Sequence, residues 1–67
     1  MTAEAINKLS DAQRERLMTY QALINTLPQD FERAEYKHTL RGYLTCLADL
    51  GVITNREMAG LYSYYAH

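Results

Sequence analysis

The fold is decided by the stretch DFERAEYKHTLRGYLTCLADLGVIT, which spans residues 30–54. Its apolar residues recur at spacings of three and four, which returns side chains to one face of an α-helix. A β-strand would require strict alternation, and the stretch shows none. The sequence therefore predicts one long helix with a single apolar stripe. The stripe consists of Tyr36, Leu40, Tyr43, Leu47 and Leu50.

The end of this helix carries a strong local signal. Gly51 can adopt the left-handed conformation that closes a helix. Thr54 and Glu57 then have the spacing of a capping box. Ile53 and Met58 have the spacing of a hydrophobic staple. We therefore expect one helix to stop and another to start within a few residues.

A first helix precedes this stretch. Ser10 and Gln13 have capping-box spacing, and the apolar residues that follow share one helical face. Pro28 closes this helix, because proline disfavours the α conformation in the residue before it. The next helix starts either with Pro28 as its first residue or with Asp30 as its N-cap. The apolar face of the first helix consists of Leu17, Tyr20, Ile24 and Leu27.

The predicted architecture is all-α. The very short connection at Pro28 makes residues 10–27 and 28–50 an antiparallel helical hairpin. A short third helix over residues 54–65 is expected to fold back on the hairpin or to pack against a second subunit. Its predicted apolar face consists of Met58, Leu61, Tyr62 and Tyr65.

Size and composition limit how this fold is stabilised. The chain has 67 residues; we expect 1–9 to be a frayed N-terminal segment and 10–67 a single three-helix domain. A chain of this size buries only about 60% of its unfolded surface. One cysteine and two histidines provide neither an internal disulfide nor a recognisable zinc ligand set. We therefore expect a homodimer, which would bury surface that a small core leaves exposed.

Charge and targeting signals narrow the class of partner. A formal net charge of −1 argues against a general nucleic-acid binder, because neutralising phosphates requires surplus lysine and arginine. The first residues lack the basic start and apolar run of a signal peptide. No apolar run approaches the roughly 20 residues that span a bilayer. Because a free Cys46 also fits a reducing compartment, we expect a cytoplasmic protein that binds no membrane.

The sequence offers little for catalysis. Its eight aspartates and glutamates lie mostly on predicted polar faces, where water-exposed carboxylates make poor general acids. His38 and Cys46 lie on one predicted helix, roughly 12 Å apart along its axis, too far to share a proton. We expect no enzymatic activity, no cofactor and no metal site.

Arg33, Lys37 and Arg41 form a basic row, because each follows the last by four residues on the predicted long helix. One interpretation is a solvated face whose charge is offset by neighbouring carboxylates. The other is a contact for an acidic partner or for a nucleic-acid backbone.

The chain contains six tyrosines, one phenylalanine and no tryptophan. Most of the tyrosines fall on predicted core faces, where each hydroxyl must reach water or a partner. The pattern is typical either of boundary packing in a small domain or of a protein–protein interface. The candidate interface residues are Tyr43, Leu61, Tyr62, Tyr64 and Tyr65.

The run LADLGVITNREM, residues 47–58, resembles the short C-terminal helical hairpins known as SHOCT domains. Those domains carry a similar Leu-x-x-x-Gly-Ile-Ile/Leu-Thr-x-x-Glu-Phe run. The resemblance is partial and lies within residues 40–65. After Met58 the family's Lys-rich, Leu-Leu ending is replaced by Gly-Leu-Tyr-Ser-Tyr-Tyr. The resemblance implies an oligomerisation or docking module.

As a small, tyrosine-rich helical hairpin, the chain also resembles, as a class, accessory proteins of temperate phages and other mobile elements. Such proteins often act by binding a host protein. We therefore predict a non-enzymatic protein–protein interaction module, with a phage or mobile-element regulator as its specific form. The alternative prediction is a weak nucleic-acid-binding helical dimer that uses the basic row.

Overall fold

The computed structural model describes residues 2–67, and within them the secondary structure is entirely helical. The predicted all-α fold class is thereby confirmed. The helices are α1 (Thr2–Asn7), α2 (Asp11–Thr26), α3 (Asp30–Asp49) and α4 (Asn55–Tyr65).

Both predicted capping boxes are present. The Ser10 backbone N–H donates to Gln13 Oε1 at 2.8 Å, and the Gln13 backbone N–H donates to Ser10 Oγ at 3.1 Å. The same reciprocal pair joins Thr54 and Glu57 at 2.8 and 3.1 Å. Each box satisfies two backbone N–H groups that a helix start leaves without partners. The beginnings of α2 and α4 are therefore fixed by local sequence.

The end of α3 has the geometry that its sequence predicts. Gly51 has φ 78°, the left-handed conformation that favours glycine. Its backbone N–H donates to the Ala48 carbonyl, and the N–H of Val52 donates to the Leu47 carbonyl, both at 3.0 Å. These two bonds define a Schellman motif, which satisfies carbonyls at the helix end.

The connection between α2 and α3 differs from both predicted placements. Gln29 is the N-cap and Asp30 the first residue of α3, so Pro28 lies in the link. The Gln29 side chain makes no capping hydrogen bond. Instead, the Arg33 guanidinium donates to the Leu27 carbonyl at 2.6 Å and pairs with Asp30. Arg33 thus bridges the end of α2 and the start of α3, a role that helix-start signals do not encode.

The core lies where α2 and α3 meet α4, with α1 packed against α4. Every buried residue among those described is apolar or tyrosine, and no buried side-chain nitrogen or oxygen there lacks a hydrogen bond. Burial of this apolar surface is the main stabilising contribution. The core residues are Ala5, Leu9, Leu17, Ile24, Leu40, Leu44, Leu47, Ile53, Leu61, Tyr65 and Ala66.

The N-terminal segment differs from the frayed turn expected for residues 1–9. Met1 lies outside the described residues, and the rest forms α1 and a link that pack on α4. Ala5 is 0% exposed and Leu9 is 4% exposed. Lys8 Nζ lies 2.9 and 2.8 Å from the two carboxylate oxygens of Glu57. The segment is therefore part of the folded unit.

The apolar stripe of α3 ends one turn earlier than predicted. Leu50 was expected to be its last member, but its side chain is 72% exposed. The chain reverses direction at Gly51, and this turn carries Ile53 into the core at 3% exposure. Ile53 therefore continues the packing beyond Leu47, while Leu50 caps the helix at the surface.

Candidate functional site

The candidate site is the α3–α4 groove, a surface cleft of about 280 Å³ between the two helices. Arg41 of α3 forms one wall, and Met58, Ala59 and Tyr62 of α4 form the other. The Schellman motif and the second capping box fix how α4 leaves α3. The groove is therefore positioned by the same turn that decides the fold.

Thr45, which lies one helical turn beyond Arg41, contacts the groove residue Met58. Its hydroxyl lies 3.4 Å from Met58 Sδ. The same hydroxyl donates to the Arg41 carbonyl at 2.8 Å, the bond that threonine commonly makes to the preceding turn of its helix. The Met58 thioether is therefore packed against α3, and it presents an apolar, adaptable surface to the groove.

The groove has an uncompensated positive edge. Of the seven lysines and arginines, Lys8, Arg14 and Arg33 form ion pairs with carboxylates. Lys37 and Arg41 have no ion-pair partner among residues 2–67. Because they lie four residues apart on α3, both project from the same side of the helix.

The predicted basic row is divided by the structure. Arg33 is engaged with Asp30 and with the Leu27 carbonyl, as described above. Its charge therefore serves the α2–α3 link. Lys37 and Arg41 are the members left to meet a partner, and Arg41 alone lines the groove.

The candidate interface tyrosines do not form one surface. Tyr62 lines the groove, whereas Tyr43 packs edge-to-face on Tyr20 of α2, with ring centroids 6.0 Å apart. Two residues along a helix correspond to about 200° of rotation, so Tyr43 lies on the opposite side of α3 from Arg41. The Tyr43 ring therefore serves the α2–α3 contact.

Two other candidate interface residues belong to the core. Leu61 is 0% exposed and Tyr65 is 4% exposed, so neither is accessible to a partner in this fold. Burial raises the pKa of the Tyr65 phenol, with a smaller contribution from Tyr64 and an opposing one from Arg14. Tyr64 is 54% exposed and packs edge-to-face on Tyr65 at 4.9 Å.

Met58 and Ala59 are site residues that the sequence analysis did not select. The sequence nevertheless indicates which residues of α3 and α4 face each other. Because a tight link joins α3 to α4, residues equally distant from the link face each other. The pairs Thr45–Met58 and Arg41–Tyr62 are both centred on the Gly51–Val52 bond.

Two further surface cavities carry less chemistry. One, of about 210 Å³, lies between α1 and α4, and the Glu57 carboxylate in it is already bonded to Lys8 and to the Thr54 N–H. The other, of about 390 Å³, is lined by residues of α2 only. A single helix provides no second wall, so this cavity is an open surface.

The histidine and the cysteine of α3 are at the surface. Cys46 and His38 are both exposed. Within residues 2–67 no group of three or more His, Cys, Asp or Glu side chains is arranged to hold a metal ion. In the same residues, no helix has the length and apolarity required to cross a bilayer.

No protein-family model matches this chain, and no curated protein or solved structure shows significant similarity to it. The resemblance of residues 40–65 to SHOCT-type hairpins therefore stays a prediction.

Proposed function

We propose that this chain is a non-enzymatic protein-binding module and that the α3–α4 groove is its binding surface. The observation that carries the proposal is the position of Arg41 beside the apolar wall of α4, with Lys37 one turn before it on α3 and with no ion-pair partner for either cation among the described residues. Arginine, tyrosine and methionine are enriched at protein interfaces, where a large contact area must be combined with a polar rim. The groove contains all three.

The open shape of the groove supports a protein partner over a small-molecule ligand. Pockets that enclose drug-sized ligands have volumes of roughly 300–1,000 Å³ and bury most of the ligand. The groove has about 280 Å³ and is open to solvent along Arg41, which is exposed. A space of this size suits one or two anchoring side chains of a partner protein, the arrangement found at interface hot spots.

The charge pattern also supports a role outside the fold. Two cations at positions i and i+4 of a helix repel each other and cost about 0.2–0.5 kcal/mol. Lys37 and Arg41 have this spacing, and no carboxylate among residues 2–67 pairs with either of them. The fold therefore gains no ion pair from these two charges, whereas an anionic partner could form ion pairs with both.

We propose a host protein as the partner. The class-level resemblance to small phage accessory proteins gives the proposal its specific form, a regulator that binds a host protein. The exposed thiol of Cys46 fits a cytoplasmic setting, where thiols are kept reduced. A homodimer is part of the proposal, because Phe31 and Leu50 are 65% and 72% exposed at the two ends of α3.

Position-specific photo-cross-linking tests the proposal. A photoreactive phenylalanine derivative replaces Ser63, an exposed residue of α4 one turn beyond Ala59 that leaves the groove itself unfilled, or Ala22, an exposed residue of α2 that serves as control. We expect a discrete protein adduct from position 63 in the cells that express the protein, and none from position 22. An adduct of twice the chain mass identifies a second copy, and any other mass identifies a different protein.

Two results would contradict the proposal. Equal adducts from both positions would mean that contact with the groove is not specific. No adduct from position 63, with the variant shown to be folded and expressed, would mean that the groove is not a protein-binding surface in the cell.

A further inference from the structure

We infer that the α3–α4 groove receives an acidic, amphipathic helical segment of a partner protein. This inference rests on the proposed protein-binding function and adds the chemistry of the partner. It follows from the charge of one wall of the groove, the shape of the other, and the direction in which both run.

The charge of the groove selects an anionic partner. The carboxylate nearest in sequence to Lys37 is Glu35, and a separation of two residues places it about 200° around the helix. Glu35 therefore lies on the other side of α3 and does not offset the positive edge. The groove residues of α4 are Met58, Ala59 and Tyr62, so this wall contains no carboxylate. Carboxylates of a partner would meet Lys37 and Arg41 without competition from this chain.

The shape of the α4 wall selects an apolar anchor. Ala59 is small, and the larger side chains of Met58 and Tyr62 line the groove beside it, which leaves a depression that an apolar side chain of a partner can enter. Met58 adapts its shape to what it contacts, because it is unbranched and polarisable. The Met58 sulfur lies 3.4 Å from the Thr45 hydroxyl, so this side chain already contacts α3 at the end of the groove.

The direction of the groove selects a helix. The facing pairs Arg41–Tyr62 and Thr45–Met58 are four residues apart on each helix, which is about one turn. A helix lying along the groove presents side chains at i, i+3 and i+4 with the same rise. One face of such a helix can place an apolar residue over Ala59 and carboxylates beside Lys37 and Arg41.

A nucleic acid would use this surface poorly. Phosphate backbones gain affinity from many cations and lose it steeply with salt. The groove offers two unpaired cations on a chain of formal net charge −1. Its methionine, alanine and tyrosine wall would stay unused by phosphates. An apolar side chain of a protein partner would bury the same wall.

A displayed library of random peptides, roughly 16 residues long so that they can form about four helical turns, tests the inference. The library is selected on the folded protein and then screened against the variants Arg41→Glu and Ala59→Leu. The first reverses the charge of the groove, and the second fills its depression. Matched controls are Arg16→Glu, an exposed and unpaired arginine of α2, and Ala22→Leu.

We expect the enriched peptides to be acidic, with apolar residues at helical spacing. Their affinity should fall about tenfold or more in Arg41→Glu, because an opposing carboxylate then replaces the cation. Ala59→Leu should weaken binding comparably, whereas Arg16→Glu and Ala22→Leu should leave it unchanged. Affinity should also decrease as salt increases. Circular dichroism melts confirm that each variant is folded.

Three outcomes would overturn the inference. Peptides that bind Arg41→Glu as tightly as the parent would place the binding site elsewhere. If the selection enriches basic or uncharged peptides, or no peptide at all, the partner is not acidic. The cross-link from position 63 would still decide the protein-binding function separately. A labelled single-stranded oligonucleotide that binds at low salt and is lost in Arg41→Glu would favour the nucleic-acid alternative.

Discussion

The Lys8 ammonium holds both carboxylate oxygens of Glu57, at 2.9 Å for Oε1 and 2.8 Å for Oε2. Oε1 also accepts the Thr54 backbone N–H at 2.8 Å. A single carboxylate therefore caps the start of α4 and ties that start to the end of α1. The side chain of Glu57 is only 13% exposed, whereas that of Lys8 is 48% exposed, so water reaches the pair from the lysine side.

Two substitutions separate these roles. Glu57→Gln keeps an oxygen that can accept the Thr54 N–H, because glutamine also completes a capping box, but it removes the charge that Lys8 meets. We expect Glu57→Gln and Lys8→Met to lower the melting temperature by similar amounts. The double variant should be little worse than either single variant, because both remove the same interaction. Additive losses, measured by circular dichroism, would show that the ion pair is not the shared cause.

The same carboxylate should make stability depend on acid. The hydrogen bond from Lys8 and the backbone N–H of Thr54 lower the pKa of Glu57 below its ordinary value. The unfolded chain therefore takes up the proton at a higher pH than the folded chain. The stabilisation is present above the ordinary glutamate pKa and is lost as pH falls through the lowered one. Urea unfolding at a series of pH values should show a smaller acid loss in Glu57→Gln than in the parent.

Local signals in the sequence were sufficient for the turns. The Ser10–Gln13 and Thr54–Glu57 boxes and the Gly51 helix end join atoms that lie only a few residues apart. Such contacts depend on spacing and on residue type, both of which the sequence displays directly. The helical hairpin and α4 then follow from the apolar periodicity between the turns.

Contacts between distant parts of the chain were not predictable in the same way. Nothing near Lys8 indicates that its partner is Glu57, and Ala5 is too small to mark a buried face. These two facts explain why the N-terminal segment was expected to fray. The apolar face of α4 also contains both core residues and groove residues. Periodicity does not separate Leu61 from Tyr62, because their difference depends on how α4 tilts against α3.

The two exposed glycines should respond oppositely to alanine. Neither a Cβ on Gly51 nor one on Gly42 would meet another described atom within 4 Å, so backbone conformation decides both cases. Gly51→Ala forces φ 78° on a residue with a side chain and should destabilise by about 1–2 kcal/mol. Gly42→Ala lies within α3 and should stabilise by about 0.5–1 kcal/mol.

Urea unfolding of the two glycine variants measures both changes in the free energy of unfolding. A neutral Gly51→Ala would mean that the end of α3 does not need the left-handed conformation. A destabilising Gly42→Ala would mean that α3 is not a regular helix at that point.

Substitution of Leu61 and of Tyr64 should distinguish a core residue from a surface residue. Leu61→Ala removes a side chain that is 0% exposed and should cost about 2–5 kcal/mol. That range reaches the whole stability expected of so small a domain, so we expect this variant to be largely unfolded. Tyr64→Ala removes a ring that is 54% exposed and should cost about 1 kcal/mol, mainly its edge-to-face contact with Tyr65.

Circular dichroism melts distinguish these cases. If the Leu61→Ala variant is folded and has lost only self-association, Leu61 is an interface residue. That result would contradict its place in the core.

Arg41→Glu should improve the fold while it disables the groove. The substitution removes the repulsion between Lys37 and Arg41 and places a carboxylate one turn after Lys37. Each change contributes about 0.2–0.5 kcal/mol, so together they should stabilise the chain by about 0.4–1 kcal/mol. Arg16→Glu is the matched control, because no charged residue lies three or four positions from Arg16 on α2. We expect its free energy of unfolding to stay within about 0.3 kcal/mol of the parent.

If Arg41→Glu raises the free energy of unfolding and weakens peptide binding, Arg41 serves the partner and not the fold. Substitution of a structural residue would lower both stability and binding. Urea unfolding and the peptide affinities of the same protein preparations provide the two measurements. If Arg41→Glu instead unfolds more easily than the parent and Arg16→Glu does not, Arg41 supports the fold and the groove loses its main evidence for a partner. The sign of this one stability change therefore separates a packing cation from a binding cation.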